Sequence, residues 1–434
     1  MLGIAALVLA PFVAATPPAA DRPPNVVLIV SDDHAWTDYS FMGHPHVQTP
    51  RIDRLAAEGL AFRRGYVPSS LCSPSLASII TGLYPHQHKV TGNDPPGTAG
   101  RYGRLLDDPA LREGRRRMEG FIKEAPTLPR LLGERGFVTL QTGKWWGGSH
   151  AEGGFHEGMT HGDPKRGGRH GDVGLEIGRK TMRPVLDFID RSVDADRPFF
   201  VWYAPMMPHT PHNPPERLLA KYRDKAPSLH VARYWAMIEW FDETCGELLD
   251  HLDAKGVAED TLVVYLADNG WIQDPDAPGY GPRSKQSPYD GGLRTPILVR
   301  WPGKIKPAVV DRPVSSIDLA PTILAAAGLE PTANMGGVDL RDERAVADRP
   351  AVFGEVFGHD VADLDRPAAG LRYRWVVAED WKLILPDPRN APGQSPLLFN
   401  VVADPAEARD LAAAEPDRVA DLTRLIDGWW RVEE

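Results

Sequence analysis

The chain has 434 residues, 42% of them hydrophobic, enough to bury a large core in one big domain with a smaller one beside it. Its net charge of -10 excludes a nucleic-acid binder, whose surface would be basic, and two cysteines, Cys72 and Cys245, exclude a disulfide framework. With 41 glycines and 42 prolines, many connections should be long shaped loops, which is where sites are built.

At the N-terminus, residues 2–15 are apolar and end in small residues ahead of the proline-rich segment 16–24. This is the pattern of a signal peptide, so residues 1–22 are assigned to a signal peptide and leader, and the protein to the periplasm or the exterior. The stretch is too short to span a bilayer, and no later segment is apolar enough to form a membrane helix.

Four short apolar runs follow, at 25–30, 137–140, 199–204 and 262–266, each leading into a polar loop. Continuous apolar runs suit strands buried on both faces, as in a parallel sheet covered by helices. Helical patterns lie between and around them, at 49–59, 127–136, 178–193 and 230–256, and a further helix at 316–328 closes the region. In such β-α alternation the loops at the carboxyl ends of the strands converge on one edge, where ligands collect. Residues 23–335 are read as this β-α domain. A proline- and aspartate-rich linker spans 330–350, and residues 345–434 form a smaller domain with short antiparallel strands at 351–357, 373–378 and 381–385 and an amphipathic closing helix at 416–430. The basic run 112–117 reads as a solvated face.

The loaded loops carry the chemistry. Asp32 and Asp33 follow the first run, and Asp268 and Asn269 follow the last. Singly, an Asp-Asp pair caps a helix and Asp-Asn-Gly makes a turn. Together they form a hard, oxygen-rich set suited to Ca²⁺ or Mg²⁺ rather than zinc. Cys72 sits where a helix should begin, with Pro74 in its first turn, so the helix dipole is expected to favour an anion there and to lower the thiol pKa. Cys245 falls mid-helix among Phe241, Leu248 and Leu249 and reads as a buried structural residue.

These residues resemble the type I sulfatases of the alkaline-phosphatase superfamily. The resemblance runs through Asn-Val-Val-Leu-Ile-Val-Ser-Asp-Asp at 25–33, Gln-Thr-Pro-Arg-Ile-Asp-Arg-Leu-Ala-Ala-Glu-Gly at 48–59 and Cys-Ser-Pro-Ser from Cys72 on to Thr-Gly-Leu-Tyr-Pro-His at 81–86. It continues through Gly-Lys-Trp at 143–145, Pro-His-Thr-Pro at 208–211, Tyr-Asp-Gly-Gly-Leu-Arg-Thr-Pro at 289–296, and Leu-Phe-Asn at 398–400 with Asp-Pro-Ala-Glu at 404–407, similar to a C-terminal turn motif. Any one motif is weak, and their order is specific.

The resemblance implies a large mixed, mostly parallel sheet sandwiched by helices, with a smaller C-terminal α+β subdomain. It implies that a formylglycine-generating enzyme oxidises Cys72 to formylglycine, whose hydrated aldehyde attacks sulfur. By position, Asp32, Asp33, Asp268, Asn269 and the modified Cys72 would hold one Ca²⁺, Mg²⁺ being the lesser choice. Lys144 and Lys285 would clamp sulfate, and His209, with a near-neutral pKa, would serve as general acid. The substrate class implied is a sulfated small molecule or glycan.

Two positions depart from the pattern. Leu76 stands where the family signature has an arginine that helps hold the formylglycine and belongs to the sequence read by the maturing enzyme. Trp146 stands where a histidine commonly follows Gly-Lys-Trp, leaving His34, His86, His88 and His150 as substitutes. A phosphate or phosphonate ester hydrolase of the same superfamily, or a non-catalytic metal- and anion-binding relative, therefore remains open. The long loops 93–124 and 147–174 are placed to surround the site mouth, with Tyr102, His156, His161 and Arg169 as candidate substrate contacts.

Overall fold

Every residue of the strand β1 (Asn25–Ser31) is buried. Its side chains alternate between two cores: Val26, Leu28 and Val30 enter one cluster, and Val27 and Ile29 enter another. A strand that is apolar on both faces needs a cover on both, and the rest of the fold supplies it. The computed structural model describes residues 22–98, 108–162 and 172–432. The expected signal peptide, Tyr102 and Arg169 lie outside the described residues, Arg22 excepted.

Beside β1 the large sheet contains β2 (Leu60–Tyr66), β3 (Val138–Gly143), β4 (Glu157–Gly158), β5 (Phe199–Ala204), β6 (Thr261–Ala267), β7 (Arg294–Arg300), β8 (Ala308–Val310) and β9 (Val314–Ser315). Their order is β4-β3-β5-β1-β6-β7-β2-β8, with β9 also paired to β2. All the pairings are parallel except those of β7, which runs antiparallel to both β6 and β2. The reversal at β7 leaves β2 pointing the same way as β6, so the carboxyl ends of β1, β2, β3, β5 and β6 share one edge.

One face is covered by the helices Cys72–Thr81, Leu128–Glu134 and Leu319–Ala326 through Leu76, Ile79, Ile80, Leu128, Leu132, Leu319 and Ile323. The other is covered by Pro50–Glu58, Arg183–Asp194 and Leu229–Ala254 through Ile52, Leu55, Val185, Phe188, Met237 and Phe241. Cys245 is buried in this second core, as expected. The helix expected over 178–193 begins only at Arg183, with Pro184 in its first turn. No helix among the described residues is long and apolar enough to cross a membrane.

Two sequence expectations are corrected. Loop 93–124 holds a helix, Pro109–Glu124, started by the Asp108 carboxylate accepting from the Ala110 and Leu111 amides. The arginine run lies on that helix and is not wholly solvated, because Arg115 turns inward to Asp94, with Nη2 donating to Oδ1 at 2.5 Å.

The smaller sheet is antiparallel, in the order β10 (Val352–Phe357), β11 (Leu371–Ala378), β12 (Trp381–Pro386) and β13 (Leu397–Asn400). Residues 398–400, read as a turn motif, are its last strand. The helix Pro416–Trp429 packs on one face through Leu422 and Ile426, and Val352, Trp375 and Ile384 on the other meet Tyr66 of β2 and Leu293, which immediately precedes β7. The seam is also ionic: Lys382 Nζ, fully buried, lies 2.7 Å from Asp290 Oδ1 and 2.8 Å from Glu407 Oε1. Removing the cation leaves two buried carboxylates unbalanced, so Lys382→Met is expected to cost about 3–5 kcal/mol by denaturant unfolding.

Candidate active site

The shared strand edge gathers the loaded loops. Asp32 and Asp33 leave β1, and the Asp268 amide donates to the Ser31 carbonyl at 2.8 Å, fixing the β6 loop against them. Lys144 leaves β3 through Gly143, whose φ is +76°, and a side chain at 143 would collide with the Ala204 carbonyl 1.9 Å away. His209 follows β5, its loop gripped by Arg179, which donates through Nη2 to the Met206 and His209 carbonyls at 2.6 and 2.8 Å. Cys72 opens its helix, and the Ser73 amide donates to Asn93 Oδ1 at 2.9 Å. Lys285 arrives from the loop after β6, with the Gln286 amide donating to the Ser70 carbonyl at 2.8 Å.

All the residues assigned to metal or catalysis from sequence meet here. Lys144 Nζ donates to Asp32 Oδ1 at 2.6 Å and lies 3.6 Å from Asp268 Oδ2. Lys285 Nζ donates to Asp33 Oδ1 at 2.6 Å, Asn269 Nδ2 donates to the same oxygen at 2.7 Å, and His209 Nε2 lies 3.4 Å from Asp33 Oδ2. Ligand atoms of Asp32, Cys72 and Asp268 fall within 4.8 Å of one another. Asp33 itself is held at φ +60°, a strained backbone for a non-glycine residue.

Four buried oxygens in this cluster have no hydrogen-bond donor: Asp32 Oδ2, Asp33 Oδ2, Asp268 Oδ2 and Asn269 Oδ1. Buried polar atoms are ordinarily paired. Three carboxylate oxygens and an amide oxygen left over together are the donor set of a hard divalent cation, and they fit one.

Burial dominates the electrostatics. It raises the Asp268 carboxyl to about 7, helped by the Asp32 charge, and it raises Asp32 against the pull of Lys144. At Asp33 burial acts upward too, but Lys285, His209 and Lys144 outweigh it and hold the carboxyl well below its usual range.

Two sequence expectations are corrected by the same cause. Burial pushes the Cys72 thiol up to about 11 despite Lys144 and Lys285, so the helix start does not make a thiolate. Burial likewise drives the His209 ring down to about 3 against the attraction of Asp33, away from neutrality.

Above the cluster is a cavity of about 230 Å³ lined by Asp33, Cys72, Lys144, Trp146, His209 and Lys285, with Leu76, Asn93 and His359 on its walls. Trp146 and Leu76 make it apolar where they stand. None of the four substitute histidines lines it. His34 bonds to Ser31 Oγ and the Asp38 carbonyl, His88 to Ser78 Oγ, and His150 to the Thr160 carbonyl. His86 pairs with Glu355 and stacks on Trp430. His156, on Thr139 Oγ1, and His161, against the His150 ring, are absent from the lining as well. The residue that sequence reasoning missed is His359, contributed by the smaller domain.

His34 and His88 are instead a liability in acid. Burial pulls both rings from 6.5 down to about 3, so they stay neutral in the folded protein. Below about 6.5 the unfolded chain protonates them and the folded one does not, so stability is lost as pH falls from about 6.5 to 3, by up to about 1.4 kcal/mol per pH unit per ring. Urea midpoints should decline across that window, and less steeply in His88→Gln.

A mostly parallel sheet between helices, with acidic, amide and lysine side chains at its carboxyl edge, defines the alkaline-phosphatase-like class of ester hydrolases. The chain belongs to the sulfatase family, the sulfuric ester hydrolases within it: the family model described as "Sulfatase" matches residues 24–329, and "N-sulphoglucosamine sulphohydrolase, C-terminal" matches residues 280–423. Human arylsulfatase A is 32% identical over 370 residues, covering 74% of this chain and 68% of its own. The dog N-acetylgalactosamine-6-sulfatase (Canis lupus familiaris) is 28% identical over 467 residues, covering 94% of this chain and 85% of its own. Among solved structures, Ps i-CgsB superposes with a TM-score of 0.74 at 24% identity, covering 95% of this chain and 94% of that one, a likeness of fold.

Proposed function

We propose that this protein is an exported hydrolase of sulfate monoesters on carbohydrate, acting through one Ca²⁺ and a formylglycine made from Cys72 by a formylglycine-generating enzyme. The observation that carries the reading is the set of four undonated buried oxygens beside two buried lysines and the helix-start cysteine. Asp32, Asp33, Asp268 and Asn269, with residue 72, would hold the cation, whose charge draws electrons from the ester oxygens. The apolar leader supports export to the periplasm or the exterior.

Cys72 Sγ stands where the hydroxyls of the hydrated aldehyde would stand. The hydrate offers one hydroxyl to attack sulfur and a second whose collapse back to the aldehyde expels sulfate, a release that a thiol cannot perform. Each lysine ammonium has three donors and spends one on a carboxylate at 2.6 Å, leaving others for sulfate oxygens. His209 donates Nδ1–H to the Thr210 carbonyl at 2.7 Å, and its Nε2 lies 3.4 Å from Asp33 Oδ2. An incoming sulfate ester, negative in charge, favours the protonated ring and so readies a general acid for the leaving alkoxide. A sulfated sugar is favoured as substrate by the likeness to an N-acetylgalactosamine-6-sulfatase.

The test is the rate on an aryl sulfate against the matching aryl phosphate and phosphonate, using protein from its native host with Ca²⁺ present. Faster sulfate release supports the reading. Preference for the phosphorus esters would move the protein to a sister activity, and no turnover of any ester would make it a binding protein.

A further inference from the structure

Two imidazoles line the cavity among the described residues, His209 and His359. They come from different parts of the fold: His209 stands 3.4 Å from Asp33 Oδ2, and His359 comes from the loop after β10 in the smaller domain. That loop is pinned to the nucleophile's own helix. The Asn93 amide donates to the His359 carbonyl at 2.8 Å, the Val361 amide donates to the Asp94 carbonyl at 2.8 Å, and Asn93 Oδ1 accepts from the Ser73 amide, next to Cys72.

The His359 ring is oriented by a carboxylate. Nδ1 lies 2.7 Å from Asp360 Oδ1 and 3.8 Å from Asp94 Oδ2, while Arg115, from the helix Pro109–Glu124, occupies Asp94 Oδ1 at 2.5 Å. Asp94 thus has its own cation, and Asp360 is the partner of the imidazole. Nε2 has no protein partner among the described residues. A carboxylate on one ring nitrogen sets the tautomer with the proton on that nitrogen, which leaves the other nitrogen as a proton acceptor. The two lysines cannot fill that role, since an ammonium has no acceptor.

We propose that His359 is a second proton-transfer residue of this site, its Nε2 accepting the proton lost by a hydroxyl held at residue 72. This rests on the sulfatase reading above. In the step, the hydroxyl O–H bond breaks, its electron pair stays on oxygen, and the proton forms the Nε2–H bond. The imidazolium is balanced by Asp360, and its proton passes to water before the next cycle. The residue reaches, from a distant part of the chain, the same cavity that Trp146 lines.

The experiment compares wild type, His359→Ala, His359→Gln and Asp360→Asn, all checked for the aldehyde at residue 72 and for melting temperature. The hydrogen bond that ties the loop to Asn93 is made by the main chain of residue 359, so the substitutions leave it in place. In His359→Ala, kcat is expected to fall about 10²-fold or more while KM moves by less than about threefold, and the acid limb of the pH–rate profile should disappear. Added imidazole should restore part of the His359→Ala rate and none of the His359→Gln rate, and without imidazole Asp360→Asn should lie between wild type and His359→Ala. Independently of turnover, inorganic sulfate should shift the His359 ring signals in the NMR spectrum and leave those of His150 in place. An active wild type with an unchanged kcat, a loss confined to KM, or no imidazole rescue would overturn the inference and leave the sulfatase reading standing. A wild type carrying the aldehyde yet inert toward every ester would overturn both.

Discussion

Cys72→Ala is expected to lower kcat by about 10⁵-fold or more, the scale on which hydrolases lose rate when their covalent nucleophile is removed. The reason lies in the site as built: Lys144, Lys285 and the acidic cluster can neutralise and position a sulfate, and the neighbouring Ser73 offers one hydroxyl where the hydrated aldehyde at residue 72 would offer two on one carbon. Cys72→Ser separates attack from release. Serine offers one hydroxyl to attack sulfur and no second one to expel sulfate, so a single turnover at most is expected, read as a burst without a steady state. The side chain is buried in a short helix turn, and both substitutions are close in volume, so melting temperatures near wild type should accompany the loss.

Much of this site could be read before the structure, because its residues follow strands whose sequences are unambiguous. β1, β3, β5 and β6 are apolar runs buried on both faces, and Asp32, Asp33, Lys144, His209, Asp268 and Asn269 stand directly beyond them or a few residues on. β2 and β7 were not legible for the converse reason. β2 carries Arg63, Arg64 and Gly65, and β7 is bounded by Arg294 and Arg300 and includes Pro296, a residue that argues against a central strand. The helix Pro109–Glu124 did leave a signal, an aspartate cap followed by proline, obscured by the run of arginines.

The thiol and imidazole pKa values were misjudged because a motif reports the dipole and the neighbours, whereas desolvation depends on depth, which only the packed structure supplies. His359 lies 287 residues after Cys72 in the sequence and has no motif of its own, so nothing local could have joined them. Only the docking of the smaller sheet against Tyr66 and Leu293 brings it to the cavity.

Asp268→Asn is the second large expected effect. Asp268 faces Lys144 with one oxygen and accepts the Asp33 amide with the other at 3.0 Å, so the substitution weakens the cation site and the loop that shapes it. A fall in kcat of about 10³-fold is expected, the scale of losing a preorganised electrostatic stabiliser. The thermodynamic partner of that loss is measurable without substrate. In wild type, Ca²⁺ at 100 times its Kd should add about 2.7 kcal/mol to unfolding stability, because only the folded chain brings the four oxygens together. In Asp268→Asn the same addition should leave the unfolding curve almost unmoved. A chelator should reverse the wild-type gain, and Mg²⁺ should give a smaller one, since it demands tighter octahedral geometry.

Everything in the proposed chemistry passes through residue 72, so the most direct measurement is the mass of the tryptic peptide Gly65–Lys89 isolated from protein made in its native host. The expected result is an aldehyde at position 72, captured by a carbonyl reagent and absent from Cys72→Ala. A peptide bearing an intact thiol at that position, in a preparation that hydrolyses sulfate esters at full rate, would contradict it.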